Sequence, residues 1–322
     1  MEATPDLSIV IPARNEARRL PTLLHSIRES LPDSGRTWEV LVVDHDSDDD
    51  TRAVAERAGA IILSAPDAGT VAAVRNAGAV QARGPWLAFL DADVTVTKEW
   101  ARALDSLLER RPATARILSG CEVGGAGRGS WIERVWFDVH GKDRSHINSA
   151  NLLVPRAFFR ELGGFDGSLR TGEDFDLSRR AADAGGSLEP DDGFVASHDR
   201  YPTTLGAFFA REFWHGAGDF QSWRTLLRST VAWLALSWLA VTAVAFVWTA
   251  FGASPSWLLV SPAWLAGIAG LAAVRRRKRS WLHLPGVWLL YVVYFASRAM
   301  SPIGLLGRGT GDAWRSRIDP PA

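Results

Sequence analysis

Over residues 7–110, short apolar runs alternate with stretches whose apolar positions recur at helical spacing. Leu7–Ile11 reads as a strand and Ala17–Ser30 as the helix that follows it. Val40–Val43 predicts a second strand with a helix from Thr51, and Ile61–Leu63 a third with a helix over Thr70–Ala82. Trp86–Leu90 predicts a fourth, followed by a helix near Lys98–Arg110. Apolar runs without polar alternation suit strands buried on both faces. Strand–helix alternation implies an α/β fold with a mostly parallel sheet and right-handed crossovers.

From residue 229 the pattern changes. Residues 229–274 are 46 positions without a charge. A helix of about 20 apolar residues crosses a bilayer, so two crossings are expected, Thr230–Ala250 and Trp257–Val274. Phe251–Pro255 carries the Gly and Pro of a break between them. Soluble helices of this length carry a charged face, and these runs have none. Trp233, Trp248, Trp257 and Trp281 lie near the expected ends, as aromatic belts do. Arg275-Arg276-Arg277-Lys278-Arg279 follows at once, and such clusters stay cytoplasmic and attract anionic lipid. A third apolar run, Ser280–Ser297 with Pro285-Gly286 near its start, is expected to span or to lie in the interface. The expected organisation is a cytosolic α/β domain at 1–200, an amphipathic interfacial linker at 201–228, membrane helices at 229–300 and a polar tail at 301–322. That linker holds Phe208, Phe209, Phe213, Trp214 and Phe220 beside Arg211 and Arg224.

Charge sharpens this division. The net charge is zero, but residues 1–200 carry 24 Lys and Arg against 32 Asp and Glu, and residues 201–322 carry 12 against 4. An acidic first part repels phosphate backbones, so nucleic acid is not an expected partner. The lone Cys121 cannot form an intramolecular disulfide and reads as a small buried apolar residue. No basic segment with a long apolar run opens the chain, so the first part is expected in the cytosol.

Candidate chemistry gathers at the strand ends. Leu87–Leu90 stops at Asp91-Ala92-Asp93. Ligands of open α/β sheets bind beyond the carboxyl ends of the strands. Hard cations such as Mg2+ and Mn2+ prefer carboxylate oxygens and keep phosphate oxygens in their shell. Pro12-Ala13-Arg14-Asn15-Glu16 follows the first strand, and Asp44-His45-Asp46-Ser47-Asp48-Asp49-Asp50-Thr51 follows the second. Asp44 reads as a ligand contact, whereas Asp49, Asp50 and Thr51 serve equally well as caps of the next helix. Arg75 can neutralise a diphosphate or pair with acids. Glu173 and Asp174 open a helix, where the macrodipole favours acids, and an ionised carboxylate is also what a general base requires. His198, after a strand expected at Phe194–Ser197, is a metal or phosphate ligand or a buried histidine. Neither a Gly-x-Gly-x-x-Gly after the first strand nor a P-loop is present.

Taken together, Ser8–Glu16, Asp44–Thr51, Arg75-Asn76-x-Gly78, Asp91-x-Asp93, Gly163-Gly164-Phe165-Asp166 and Gly172-Glu173-Asp174-x-Asp176-Leu177 resemble the family-two glycosyltransferases with the GT-A fold. The resemblance covers about residues 7–215. It implies inverting transfer of a sugar from a nucleotide-diphosphate sugar, dependent on Mg2+ or Mn2+. It assigns Pro12, Asn15, Glu16, Asp44, Asp46, Arg75 and Asp91 to the donor, and Asp93 and His198 to the metal. Asp174 becomes the base, with Glu173 beside it, and Asn151 and Trp214 fall to the acceptor. Two departures stand out: His45 replaces the family's second Asp, and Asp46 replaces its Gly. A Gln-x-x-Arg-Trp motif is absent, which argues against a processive synthase. With the membrane helices, the expected acceptor is a lipid or lipid-linked glycan, and the expected role lies in cell-envelope glycan or glycolipid synthesis. A catalytically inactive membrane scaffold and a metal-dependent nucleotidyltransferase are the alternatives.

Overall fold

The computed structural model describes residues 3–121, 123–125, 130–137, 145–198, 201–252, 254–275 and 283–306. The chain forms two compact units. The first holds residues 1–126 and 142–200; the second holds 127–141 and 201–322. Residues 127–141 thus leave the stretch expected as one α/β domain and join the second unit. The expected polar tail from residue 307 onward and Trp281 lie outside the described residues.

The first unit is α/β. Its elements run β1 (Leu7–Ala13), α1 (Leu20–Ser30), β2 (Trp38–Asp44), α2 (Thr51–Arg57), β3 (Ile61–Ser64), α3 (Val71–Gln81) and β4 (Trp86–Leu90). They continue through β5 (Val94–Val96), α4 (Lys98–Arg110), β6 (Ile117–Gly120), β7 (Gly124–Gly125), β8 (Asn151–Pro155) and α5 (Arg156–Glu161). The last are α6 (Glu173–Asp183), β9 (Ser187–Pro190) and β10 (Ala196–His198). The main sheet has the order β3-β2-β1-β4-β8-β6-β9, and β5-β10-β7 form a small second sheet. The first four strands are parallel, as expected. β8, which pattern reading did not anticipate, enters antiparallel to both β4 and β6.

Strand alternation builds two cores. Leu7, Ile9 and Ile11 of β1 and Trp86, Ala88 and Leu90 of β4 face one side, against α1 and α4. Val10, Leu87 and Phe89 face the other, where Phe89 meets Phe159 and Phe165 with ring centroids 5.1 and 5.0 Å away. Thr97 caps α4 by accepting from the Trp100 amide, and Trp100, Leu104 and Leu107 recur at helical spacing on its buried face. Full burial of a side chain the size of Trp100 stabilises by roughly 2–3 kcal/mol. α3 lies so close to the sheet that a Cβ on Gly78 would sit 2.4 Å from Val10 Cγ1. The chain runs β1, β2, β3 outward and then returns to place β4 on the other flank of β1. That reversal opens a crevice at the carboxyl ends of β1 and β4, where ligands of such sheets bind.

The second unit is helical: α7 (Leu205–Gly216), α8 (Trp223–Arg228), α9 (Thr230–Ala250), α10 (Val260–Arg275) and α11 (Leu284–Leu306). Trp136, from the inserted segment, packs edge-on against Phe208 and Tyr291 at 5.1 and 4.8 Å. Thr230–Ala250 and Pro255–Val274 are long and apolar enough to cross a membrane, with mean hydropathies of 2.0 and 1.8. Only 17% and 22% of their most apolar windows are buried, so most of that apolar surface faces outward. Polar groups pair between the helices: Trp238 Nε1 donates to Ser261 Oγ at 3.1 Å and Trp264 Nε1 to Ser237 Oγ at 3.0 Å. The third apolar run forms α11, from which Arg298 and Ser301 bond Glu212 and the Phe213 carbonyl of α7. A Cβ on Gly216 would lie 2.1 Å from Ser301 Oγ, so only glycine permits this approach.

Candidate active site

Three strand ends converge on the crevice. After β2, Asp44 is 1% exposed. Its Oδ2 accepts from the Ser47 amide at 3.5 Å and lies 3.9 Å from Arg52. Among the described residues, Asp44 Oδ1 is buried without a hydrogen-bond partner. A buried carboxylate oxygen left unpaired is costly unless a ligand completes it, and a nucleobase N–H is a group that does so.

The loop after β1 braces the loop after β2. The Asn15 amide donates to Ser47 Oγ at 2.9 Å, and Asn15 Oδ1 accepts from the Asp48 amide at 2.8 Å. The Glu16 amide donates to Thr51 Oγ1 at 2.8 Å, and the Ala17 amide to Asp49 Oδ2 at 3.1 Å. Asn15 and Asp46 hold φ values of 55° and 54°, in the left-handed region that Asn and Asp tolerate best after glycine. Asp46 stands where the family pattern has glycine, and its backbone keeps the turn that glycine serves.

After β4, Asp91 and Asp93 approach His198 of β10. One ligand atom from each lies within 4.8 Å of the others. His198 Nε2 is 3.4 Å from Asp93 Oδ1. β10 brings the histidine there by pairing antiparallel with β5, His198 opposite Val94. Two carboxylates and an imidazole are a donor set that suits a divalent cation.

Arg75 lies beneath this group, 2% exposed on α3. Its Nη2 is 2.5 Å from Asp91 Oδ1 and its Nη1 is 2.8 Å from Glu173 Oε1. Burial opposes the charge, but the carboxylates of Asp91 and Glu173 outweigh it and hold the guanidinium protonated. Burial and the adjacent Asp174 charge push the Glu173 carboxyl above its usual range, against the pull of Arg75. Ser149 Oγ also donates to Glu173, at 3.0 Å. Asp174, half-buried at the start of α6, accepts from the amides of Phe175 at 2.8 Å and Ser149 at 3.4 Å. Asn76 fixes the turn before α6: its amide group bonds both the N–H and the carbonyl of Phe165, at 2.9 and 2.8 Å. Gly164 faces it at φ 75°, with room for no Cβ.

Residues 8–156 match the family described as Glycosyl transferase family 2. The chain is 31% identical over 259 residues to glycosyltransferase AglE of Haloferax volcanii, covering 74% of this chain and 81% of that protein. The chain belongs to glycosyl transferase family 2. It is also 31% identical over 230 residues to the pre-mycofactocin glycosyltransferase of Mycobacterium tuberculosis, covering 66% of this chain and 46% of that protein. The mannosyltransferase PcManGT from Pyrobaculum calidifontis, solved with GDP-Man and Mn2+, has a TM-score of 0.60 at 18% identity, over 92% of this chain and 88% of that one. That likeness is one of fold. The inactive scaffold and the nucleotidyltransferase give way to a transferase of this family.

Several expected site residues of this glycosyltransferase are buried or paired within the protein. Asn151 is fully buried in β8. Its Oδ1 accepts from Trp100 Nε1 at 2.8 Å, and its Nδ2 donates to the carbonyls of Phe194 and Cys121 at 2.9 and 3.3 Å. Every polar group of that side chain is hydrogen-bonded inside the fold. Pro12 is buried within β1, opposite Val43. Glu16 is 5% exposed and 3.6 Å from Arg19, a brace of the first loop. Glu173 is enclosed by Arg75 and Ser149, whereas Asp174 beside it is half-buried. Trp214 lies on α7 in the second unit, edge-on to His215 at 4.9 Å. Cys121 is buried, as expected. Ser149 and Asn76 were missed as site residues. Asn76 had a signal, its place in Arg75-Asn76-x-Gly78; Ser149 had none.

Proposed function

We propose that this glycosyltransferase moves a sugar, with inversion, from a nucleoside-diphosphate sugar to a lipid or lipid-linked acceptor at a membrane. The catalytic unit is assigned to the cytoplasmic side and the role to cell-envelope glycan or glycolipid synthesis. The observations that carry the chemistry are the convergence of Asp91, Asp93 and His198 and a buried Asp44 oxygen without a hydrogen-bond partner among the described residues. The membrane reading rests on two outward-facing apolar helices in the same chain.

Asp93 and His198 hold the cation, with Asp91 beside them, and Mg2+ and Mn2+ both suit this donor set. The Mn2+ and GDP-Man bound to PcManGT support a cation and a nucleotide sugar of this kind. When bound, the cation offsets charge on the departing diphosphate. Asp44 Oδ1 accepts an N–H of the nucleobase. Asp174 takes the proton of the acceptor hydroxyl as that oxygen attacks the anomeric carbon from the face opposite the leaving group. The test is a panel of nucleotide sugars with membrane lipid extract, following nucleoside diphosphate release and label transfer to lipid. Metal-dependent labelling of the lipid fraction is expected. Label transfer to a water-soluble acceptor alone contradicts the lipid reading.

A further inference from the structure

We infer that Arg75 is a positioning residue, the fixed cation that ties the carboxylate beside the metal site to the helix that presents the base. The inference rests on the functional reading above. One planar guanidinium spans two elements far apart in sequence. It bonds Asp91, in the turn after β4, through Nη2 and Glu173, the first residue of α6, through Nη1. Its plane also lies 5.8 Å from the Phe165 ring centroid, and the adjacent Asn76 clamps Phe165 through its backbone. The turn that leads into α6 and the first residue of α6 are therefore both held by neighbouring positions of α3.

Burial decides between this role and direct contact with the diphosphate. The Arg75 side chain is 3% exposed, and both terminal nitrogens face carboxylates. Its Nε is buried without a partner among the described residues. An arginine that grips a mobile phosphate needs its fork open to solvent. This one is enclosed below Asp91 instead. The fork geometry explains why arginine stands here: two divergent donors in a plane reach two carboxylates at once, which a lysine point charge does not. By binding Asp91 Oδ1, Arg75 sets which oxygen of Asp91 faces the crevice. By binding Glu173, it sets the position of Asp174 one residue later. Charge balance agrees. Asp91, Glu173 and Asp174 are gathered around one buried cation, and without it α6 and the turn after β4 repel each other.

The test measures three things on Arg75→Lys, Arg75→Met and Glu173→Gln in the full chain: kcat, donor Kd by calorimetry, and Mn2+ affinity by electron paramagnetic resonance. Arg75→Met is expected to lower kcat by about a hundredfold while donor Kd and Mn2+ affinity change by less than about fivefold. Arg75→Lys is expected to recover about tenfold of that loss. Arg75→Met with Glu173→Gln is expected to fall no further than Arg75→Met alone, because both break one link. Should Arg75→Met fail to fold, Arg75→Lys and Glu173→Gln carry the same comparison. A donor Kd raised more than tenfold at unchanged kcat makes Arg75 a donor ligand and overturns the inference. So do wild-type kcat in Arg75→Met and full additivity in the double variant. A wild-type protein that releases no nucleoside diphosphate from any sugar donor contradicts the functional reading itself, an outcome distinct from all of these.

Discussion

Each unit contains a buried arginine set between two carboxylates, and the two clusters differ in charge balance. In the first unit Arg75 lies between Asp91 and Glu173, with Asp93 and Asp174 adjoining. Three carboxyl groups act on one guanidinium, and Asp93 stands beside Asp91. In the second unit Arg298 lies between Glu212 and Asp219, at 2.9 and 3.1 Å, and Arg211 also pairs with Glu212. There two arginines meet two acids. Burial works to raise the Glu212 carboxyl, but Arg211 and Arg298 prevail and bring it down to about 2. The charge-balanced cluster pins α7 to α11. The acidic one has the donor set for a second cation, and its excess of acid lies at the crevice of the sheet's switch point. Both are buried ion networks, and only the unbalanced one is read as a site for chemistry.

The comparison can be broken from either side. The largest effect is expected for Asp174→Asn, nearly the same size but unable to take a proton. Turnover should fall by about 10²–10⁴ while donor and metal still bind, since positioned bases contribute that much. Wild-type turnover in Asp174→Asn assigns the base to the wrong carboxylate. Asp93→Ala comes next, with transfer lowered by at least roughly a hundredfold and donor binding weakened too, as loss of charge stabilisation entails.

In the second unit the effects fall on stability. Arg298→Ala leaves Glu212 buried and without one of its two cations, and should destabilise the protein by about 3–5 kcal/mol. Denaturation in detergent micelles reads this directly. If turnover per folded molecule drops a hundredfold instead, the second cluster belongs to the chemistry. A smaller effect is expected with pH. Glu212 titrates at about 2 in the folded chain, below its ordinary carboxyl value. The unfolded chain therefore binds the proton first, and the stabilisation is full above about pH 4.5 and lost as pH falls toward 2. It amounts to about 3 kcal/mol. Glu212→Gln should flatten that part of the stability profile, and an unchanged slope removes Glu212 from the account.

Much of the first unit was legible because buried parallel strands leave an apolar run that ends where the ligand binds. Leu87–Leu90 followed by Asp91 and Asp93 placed both acids at a strand end, and the family motifs placed Asp44 and His198 on the same edge. What was hidden depends on tertiary pairing. Asn151-Leu152-Leu153-Val154 is as apolar as a parallel strand, yet β8 runs antiparallel, and nothing local to a run reports its direction. Arg75 reads either as a diphosphate contact or as a partner of acids, and Asn151 as an acceptor contact. Whether such a group faces a crevice or is consumed inside the fold depends on partners 16 to 98 residues away along the chain. Trp136 packs against Phe208 of α7 and Tyr291 of α11, long-range partners that its local sequence does not report.

Mn2+ binding measured by electron paramagnetic resonance, with nucleoside diphosphate present, tests the central contrast most directly. Wild-type protein and Glu212→Gln should bind one Mn2+ with equal affinity, and Asp93→Ala should bind it at least about tenfold more weakly. Equal Mn2+ affinity in wild type and Asp93→Ala would contradict the assignment of the acid-rich cluster as the cation site.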